Sequence, residues 1–373
     1  MEFDQITGHT KLKAQLCQMA QDARIPHAQI FLGPEGCGKL ALAIAFAQYV
    51  LCENKTATDF CGSCSACVKA SKFVHPDIHF SFPFVGAKLN SNHYLEEWRK
   101  ALQDNVYMDV NQWLQIIGAE NKQGNINVEE CNNIMKKLSL KTFEAKHKIM
   151  IIWLPEYLGK EGNRLLKLIE EPPENTLFIL VAETQERILQ TILSRCQLLK
   201  INRLSDEELT IVLRQKYPSA DEDRLASIAH LANGNLNEAM KLFQQVENDQ
   251  AMLFLDWFRK CYRGNGVELV KWVDAFSKTG RENQKQFIQY ALHFLREFLQ
   301  LAISPDIPVR LRNKELTTAK NLTKVINIEQ VMEISALMDD LYYHIERNAN
   351  PKIQFLNASI KIHTIIKRKA AAA

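Results

Sequence analysis

Nearly continuous apolar runs alternate with amphipathic stretches through the N-terminal half of the chain. The runs at 148–152 and 176–181 are apolar at almost every position, which is typical of parallel strands buried on both faces. Strands are predicted at 28–32, 75–80, 148–152, 176–181 and 197–201. Helical spacing of apolar residues predicts helices near 3–24, 39–51, 127–140, 160–171 and 186–193. The alternation predicts an α/β domain over residues 1–201 with a doubly wound parallel sheet.

Strand signals end at about residue 201, and the remainder of the chain has helical spacing. Ser205 with the acids that follow it predicts a helix start, and Asn233-Gly234-Asn235 predicts a stop and restart, so residues 202–247 form a small helical lid domain. Aromatic and leucine residues then recur at the spacing of a bundle core, which predicts a helical domain over 248–373. The polar stretch 83–125, with a helix near 94–118, is interpreted as a surface insertion without an assigned function.

Composition narrows the class of protein. The hydrophobic content of 46% is enough for real cores, and a net charge of +3 gives no overall bias towards nucleic acid. The N-terminal residues lack the basic and apolar regions of a signal peptide, and no apolar run approaches the roughly 18 residues of a membrane span. Four of the nine cysteines fall between 52 and 67, which is typical of a reduced, metal-binding chain. A cytoplasmic protein without membrane contact is expected.

The cysteine cluster has the spacing of a structural metal site. Cys61, Cys64 and Cys67 form a Cys-x2-Cys-x2-Cys series, and Cys52 lies nine positions upstream. Four thiolates are the ligand set of a tetrahedral structural zinc, and a compact, serine-flanked zinc knuckle is the favoured interpretation. An iron–sulfur cluster and a loop of free thiols are the alternatives.

A glycine-rich loop joins the first predicted strand to a helix. Its sequence is Gly33-Pro34-Glu35-Gly36-Cys37-Gly38-Lys39, and in such a loop backbone N–H groups at Gly33, Gly36 and Gly38, the helix N-terminus and the lysine bind phosphate oxygens. The pattern requires Ser or Thr after the lysine to hold Mg²⁺, and this chain has Leu40. A phosphate-binding ancestry is predicted, with ATP or ADP binding in doubt and Mg²⁺ binding not expected.

Several motifs together resemble one protein family. They are the loop at 33–39, the cysteine module, NRLLKLIEEPP at 163–173, TILSRC at 191–196 and ERNANPKI at 346–353. With these motifs, nearly the whole chain resembles the delta-prime subunits of bacterial DNA polymerase III clamp loaders. The resemblance implies an AAA+ module, a helical lid and a C-terminal collar that assembles a hetero-pentameric ring with gamma/tau and delta subunits. It also implies that the complex loads the sliding clamp on primed DNA.

The chain departs from an active AAA+ ATPase at the catalytic positions. The family's Asp-Glu pair, which organises Mg²⁺ and activates water, falls on Trp153 and Leu154. The sensor position falls on Ala182, and the lid arginine falls on Asn237. Glu156 lies nearby, but it is two residues further along the exit from the strand, so its carboxylate is expected to point elsewhere and it is disfavoured as a substitute base. Together with Leu40, these departures predict a subunit without intrinsic ATPase activity.

The resemblance assigns a different role to the Ser194-Arg195-Cys196 motif. In the family, this arginine enters the ATP site of the neighbouring subunit and stabilises charge on the transferred phosphoryl group. Arg195 is therefore expected to act in trans, Ser194 to orient the loop, and Cys196 to pack. The alternative is that Arg195 only pairs with a surface carboxylate.

Three functions are compatible with these observations to different degrees. The first is a non-hydrolysing clamp-loader subunit that supplies Arg195, and the second is an ATP-hydrolysing motor subunit of the gamma/tau type. The third, a zinc-dependent nucleic-acid-binding module, is disfavoured because the charges around the cysteines are mixed. For DNA contact the basic residues Lys136, Lys137 and Lys141 are weak candidates, since a solvated helix face explains them equally well.

Overall fold

The computed structural model describes residues 2–120, 122–218, 220–244, 250–304, 311, 313–323 and 325–368. The chain divides into two compact units, one ending at Leu242 and one beginning at Phe243. The predicted lid helices group with the sheet in the first unit, so the further division at about residue 201 stays a prediction. In the described ranges, no helix is long and apolar enough to cross a membrane.

The first unit is built on a five-stranded parallel sheet in the order β2-β3-β4-β1-β5. Its strands are β1 Ala28–Leu32, β2 Ile78–Ser81, β3 Lys148–Trp153, β4 Thr176–Ala182 and β5 Gln197–Lys200. Its helices are α1 Thr10–Gln21, α2 Lys39–Leu51, α3 Ser65–Ser71, α4 Leu95–Asp104, α5 Val110–Ile116, α6 Val128–Ser139, α7 Leu166–Glu170, α8 Gln190–Leu193, α9 Asp206–Lys216, α10 Glu222–Ala232 and α11 Leu236–Gln244. Short 3₁₀ segments lie at Phe3–Gln5, Ser91–Tyr94, Pro155–Leu165 and Gln185–Arg187. The predicted parallel α/β architecture is confirmed.

Both faces of the sheet are covered by helices. Successive residues of a strand point to opposite sides, so each strand contributes to two cores. In β3, Ile149 and Ile151 belong to the core that includes α2, whereas Met150 and Ile152 belong to the core that includes α6. Each of these four side chains is fully buried. The strands are therefore apolar throughout, as the sequence pattern predicts for a doubly wound sheet.

The stretch 83–125 is part of the core, and its interpretation as a surface insertion is wrong. Trp98 on α4 and Trp113 on α5 are fully buried and lie 5.0 Å apart between ring centroids. Trp98 also stacks on Phe82 at 4.2 Å. The predicted single helix at 94–118 is two helices, and Asp109 begins the second by accepting a hydrogen bond from the N–H of Gln112 at 2.8 Å. Polar residues between the tryptophans hide this core from a simple reading of composition.

The predicted helix at 160–171 is also different in the structure. Pro155–Leu165 is 3₁₀ helix with a kink at Gly159, and α-helical geometry begins only at Leu166. Gly159, with a φ of 49°, interrupts the helical backbone angles, whereas the proline at the start is compatible with a helix. The segment is nevertheless packed on the sheet through Leu158 and Leu165, which are buried.

The second unit is helical over its described residues, as predicted. Its helices are α12 Gln250–Arg263, α13 Gly266–Phe276, α14 Arg281–Ile303, α15 Asn313–Leu322, α16 Ile328–Glu346 and α17 Pro351–Lys367. An aromatic cluster forms its core, in which Trp257 and Trp272 stack at 5.7 Å and the indole N–H of Trp257 donates to Ser359 Oγ at 2.9 Å. Asn350 caps α17 and Pro351 occupies its first turn, so the ERNANPKI motif is a helix junction.

Candidate functional site

The glycine-rich loop joins β1, which lies between β4 and the edge strand β5, to the fully buried helix α2. It leaves the carboxyl end of β1, and Gly38, with a φ of 90°, is the N-cap of α2. The N–H of Gly33 donates to Ala182 O at 3.1 Å, which fixes the loop to the end of β4. The structure thus brings together the four predicted residues Gly33, Gly36, Gly38 and Lys39 in a phosphate-loop arrangement.

Lys39 is engaged by the chain itself. Its side chain is 6% exposed, and its Nζ donates to Pro34 O at 3.1 Å and to Glu183 Oε1 at 3.2 Å. Glu183 is the first residue after β4, next to the Ala182 predicted to occupy the sensor position. Glu183 could not be identified as a site residue from the motifs of the sequence. The signal that could have pointed to it is its place directly after β4, the strand that pairs with β1 beside the phosphate loop.

The lid helix α11 begins directly on the phosphate loop. The N–H of Leu236 donates to Gly36 O at 3.1 Å, and Asn235 Nδ2 donates to Glu35 Oε1 at 3.1 Å. A Cβ placed on Gly36 would lie only 1.7 Å from Asn235 Oδ1, so only glycine allows this approach. The amide side chain of Asn235 therefore covers the loop.

The segment between α4 and α5 also reaches the loop. The ring of Tyr107 lies 3.1 Å from the position that a Cβ on Gly38 would occupy. In the same segment, Asp109 is buried and accepts from Lys241 Nζ at 2.7 Å on the lid. The stretch 83–125 thus joins the lid to the phosphate loop, a role that the sequence did not suggest.

The positions that carry catalysis in active ATPases hold packed side chains, three apolar and one polar. Leu40 and Trp153 are buried, and Trp153 lies 5.1 Å from Trp98 between ring centroids. Leu154 is buried too, in a left-handed conformation with a φ of 56°. The last of these positions, Asn237, is 1% exposed and bonded within a polar network that includes Asp109 and Gln112. None of these side chains offers a metal-binding or proton-accepting group at the loop.

Glu156 is engaged in a structural role. Its Oε1 accepts the backbone N–H groups of Glu183 and Thr184, the latter at 2.9 Å. Burial raises the pKa of Glu156 above its usual range, and the neighbouring Glu183 raises it further, against the effect of these hydrogen bonds. Its carboxylate anchors the exit of β4 and is not positioned as a free general base.

Arg195 lies on a surface loop after α8. Its Nε donates to Glu170 Oε2 at 3.0 Å, and its Nη1 donates to Thr191 O at 2.9 Å. The hydroxyl of Ser194 donates to Thr191 O at 3.2 Å, so both residues of the motif share one anchor. The arginine side chain is 34% exposed and the glutamate 56%. Cys196 is half-buried, and burial raises its pKa to about 12, as expected of a packed thiol.

The four predicted cysteines converge. The sulfur atoms of Cys52, Cys61, Cys64 and Cys67 all lie within 4.8 Å of one another. Cys61 Sγ and Cys67 Sγ are 4.0 Å apart, close to the edge of about 3.8 Å of a tetrahedron with Zn–S bonds of about 2.3 Å. The N–H of Cys61 donates to Cys52 Sγ at 3.3 Å, and that of Cys64 donates to Cys61 Sγ at 3.4 Å. Such bonds orient thiolate ligands, so the cluster can hold a metal ion.

Thiol acidity in the cluster is uneven. Backbone N–H groups of Cys64 and Ser63 lower the pKa of Cys61 to about 6, whereas burial raises the pKa of Cys52 and of Cys67. Without a cation, the two buried thiols would stay protonated at neutral pH. Metal binding would remove those protons, as it does at structural thiolate sites.

A parallel sheet with a glycine-rich loop between β1 and α2, and with α11 beginning on that loop, defines a P-loop-like fold. Comparison with known sequences gives the family: the model of the family described as "DNA polymerase III, delta subunit" matches residues 8–205, and the chain belongs to that family.

Relatives at low identity agree with this assignment. The chain is 22% identical over 392 residues to DNA polymerase III subunit tau of Bacillus subtilis (strain 168), covering 99% of this chain and 62% of that protein. It is 27% identical over 225 residues to subunit delta' of the same organism, covering 60% of this chain and 56% of the relative. The gamma subunit of Buchnera aphidicola subsp. Acyrthosiphon pisum (strain APS) is 26% identical over 251 residues, with 66% and 59% covered. The chain spans about three fifths of the length of these relatives.

Among solved structures, a gamma subunit-related protein from Thermotoga maritima overlaps with a TM-score of 0.42 at 14% identity, covering 95% of this chain and 100% of that one. A mutant RuvB protein of the same organism gives 0.37 at 12% identity, covering 67% and 65%. TM-scores this low support no inference about function.

Proposed function

We propose that this chain is the delta-prime-type subunit of a DNA polymerase III clamp loader, a non-hydrolysing member that supplies Arg195 to a neighbour's ATP site. The observation that carries the proposal is the contrast between two sites on the first unit. The chain's own phosphate loop is covered by its own side chains, while Ser194 and Arg195 stand on a surface loop. A subunit with this contrast serves a neighbour's reaction rather than its own.

The absence of a hydrolytic centre supports the first half of the proposal. Hydrolysis of ATP needs a metal-organising carboxylate and a water-activating group at the end of β3. Those positions hold Trp153 and Leu154, and the indole of Trp153 is packed against Trp98. Glu156 is bonded to the backbone of the β4 exit.

The environment of Arg195 supports the second half. Both partners of its ion pair with Glu170 are more than a third exposed, and exposed pairs contribute only about 0–1 kcal/mol. A guanidinium held this weakly can exchange Glu170 for a phosphate of a neighbouring subunit. The pairing also fits the alternative in which Arg195 has only a surface role, so the two must be separated by experiment.

An ATP-hydrolysing motor subunit of the gamma/tau type is the second candidate. The match to a tau subunit over 99% of the chain favours it. The side chains at the phosphate loop oppose it, because Leu40 cannot hold Mg²⁺ and Lys39 is paired with Glu183. Turnover by the purified chain of about 1 s⁻¹, the low end of typical enzyme rates, that Lys39→Ala abolishes would establish this candidate and refute the first.

The remaining parts of the proposal concern the metal and the partners. Zinc fits the four thiolates, where it would crosslink the segment 52–67 and supply no catalytic chemistry. Gamma/tau and delta subunits are the proposed partners in a hetero-pentamer, with the second unit as the collar and with sliding clamp and primed DNA bound by the complex. The proposed location is the cytoplasm.

The test is ATP hydrolysis by the reconstituted loader, stimulated by clamp and primed DNA. Wild type is compared with Arg195→Ala in this chain alone, and Arg187→Ala, an exposed arginine of a neighbouring segment, is the matched control. We expect Arg195→Ala to lose a substantial share of hydrolysis while the complex still assembles, and Arg187→Ala to keep the wild-type rate. Equal rates for all three loaders would contradict a role in trans and leave Arg195 with its surface pair.

A further inference from the structure

We infer that Glu183 is the residue that excludes polyphosphate ligands from the phosphate loop, because its carboxylate takes the place of a phosphate group on Lys39. The inference rests on the proposed function, in which the loop is a disused nucleotide site, and deepens it by naming what keeps the site closed. It assigns a specificity-determining role to a residue outside every motif of the sequence.

The first step is the coordination of Lys39. The ammonium group has three N–H donors, and two of them are directed at Pro34 O and Glu183 Oε1. With only 6% of the side chain exposed, water has little access to the remaining donor. A phosphate that binds this buried ammonium group must therefore compete with Glu183 for it.

The second step is that the backbone of Glu183 is fixed. The backbone N–H groups of Glu183 and of Thr184 both donate to the carboxylate of the half-buried Glu156. The strand that precedes them is paired on both sides, with β1 and with β3. Displacing Glu183 from Lys39 thus requires a side-chain rotation against a fixed backbone.

The third step is the sign of the surrounding charge. Burial raises the pKa of Glu35, and the nearby charges of Asp109 and Glu183 raise it further. Lys39 and Lys241 are each paired with a carboxylate, Glu183 and Asp109 respectively. A polyphosphate that entered without displacing Glu183 would face acidic groups at short range, which is unfavourable for several anions in one partly buried site.

The lid adds a steric obstacle to this electrostatic one. Asn235 Oδ1 covers Gly36, where a phosphate cradle needs open backbone. Asn235 is also held by its hydrogen bond to Glu35. The Glu183 carboxylate and the Asn235 amide are side chains, so each can be removed by substitution while the backbone contact between Leu236 and Gly36 is kept.

The experiment measures binding of ATP and of inorganic tripolyphosphate to the purified chain by calorimetry, with and without Mg²⁺. Glu183→Gln removes the charge and keeps the shape, and the exposed Glu186→Gln is the matched control three residues away. We expect Glu183→Gln to bind at least one of the two ligands about tenfold more tightly than wild type, since close, partly desolvated charge pairs couple by at least the free energy of a factor of about ten. Adding Lys39→Met should abolish the gain, and Glu186→Gln should behave as wild type.

A second variant keeps the inference testable if the lid alone blocks entry. Glu183→Gln with Asn235→Ala removes both obstacles, and unchanged far-ultraviolet circular dichroism verifies the fold. Wild-type-like binding by both the single and the double variant, with the fold intact, would overturn the inference. So would a gain in affinity that survives Lys39→Met.

This test is independent of the loader assay. Binding is measured on the chain alone, so failure of the Arg195 role would leave its result unchanged. Conversely, a Glu183→Gln variant that binds nothing would leave the trans role of Arg195 intact.

Discussion

The ion pair between Arg195 and Glu170 gives a quantitative test of how freely the arginine can leave its own subunit. The perturbation is Glu170→Gln, which removes the carboxylate charge and keeps a similar shape. The Nε–Oε2 distance is 3.0 Å, but the two side chains are 34% and 56% exposed, so solvent screens the pair. Its contribution is then at most about 1 kcal/mol, equivalent to a factor of about five.

An arginine finger contributes roughly 10³–10⁵ to the rate of the site it enters. The pair with Glu170 is therefore too weak to withhold Arg195 from a neighbour. The assay is clamp- and DNA-stimulated hydrolysis by the loader, in which the share that Arg195→Ala removes is taken as the Arg195-dependent share. In the Glu170→Gln loader, we expect the rate that depends on Arg195 to lie between one and about five times its wild-type value.

The adjacent, exposed Glu171→Gln is the matched control and should match wild type. If Glu170→Gln abolishes the Arg195-dependent share as completely as Arg195→Ala does, the reasoning is refuted. Glu170 would then be a required part of the site in trans rather than a resting partner.

Three further predictions concern the first unit. In metal analysis, Cys64→Ser should bind less than half of the wild-type zinc content, whereas the control Cys196→Ser should keep the metal. Cys64→Ser should also lower Tm by about 5 °C or more, which corresponds to a loss of about 2 kcal/mol in a unit of this size. Trp98→Ala should reduce the free energy of unfolding by about 3–5 kcal/mol in urea titrations, because this ring is fully buried, while Phe143→Ala, at 81% exposure, should change it by less than about 0.5 kcal/mol. Burial raises the pKa of Asp77, but backbone N–H donors, Phe143 N at 2.6 Å among them, outweigh burial and hold it below its usual range. Its stabilisation is therefore full above about pH 4 and lost as pH falls further, so the deficit of Asp77→Asn in unfolding free energy should be largest near neutrality and shrink below about pH 4. A zinc content unchanged in Cys64→Ser, equal costs for Trp98→Ala and Phe143→Ala, or a pH-independent deficit would contradict the respective argument.

Local pattern was enough to predict most of the sheet. The helix predicted at 39–51 is α2 with the same bounds, and the predicted strand at 28–32 is β1. Such elements are determined by the periodicity of a few consecutive side chains. The convergence of the four cysteines was likewise predictable, because they lie within one short segment whose spacing limits where the thiols can go.

The contacts that close the phosphate loop were not predictable in this way. Glu183 and Lys39 are 144 positions apart in the sequence, and Asn235 and Glu35 are 200 apart. No local spacing links such residues; the order of the strands and the placement of the lid bring them together. The same reason explains the error at 83–125, where Trp98 and Trp113 find their partners across the fold.

The packing of Trp153 against Trp98 limits what a single substitution at position 153 can achieve. Introducing an aspartate at position 153 would remove a buried indole, at about 3–5 kcal/mol, and place an unpaired carboxylate beside an aromatic cluster. The same step would gain no activity while Leu40 still occupies the metal side of the loop. A single substitution at position 153 is therefore a loss of stability without a gain, so any attempt to build an acidic metal site here must also replace Leu40 and refill the space left by the indole.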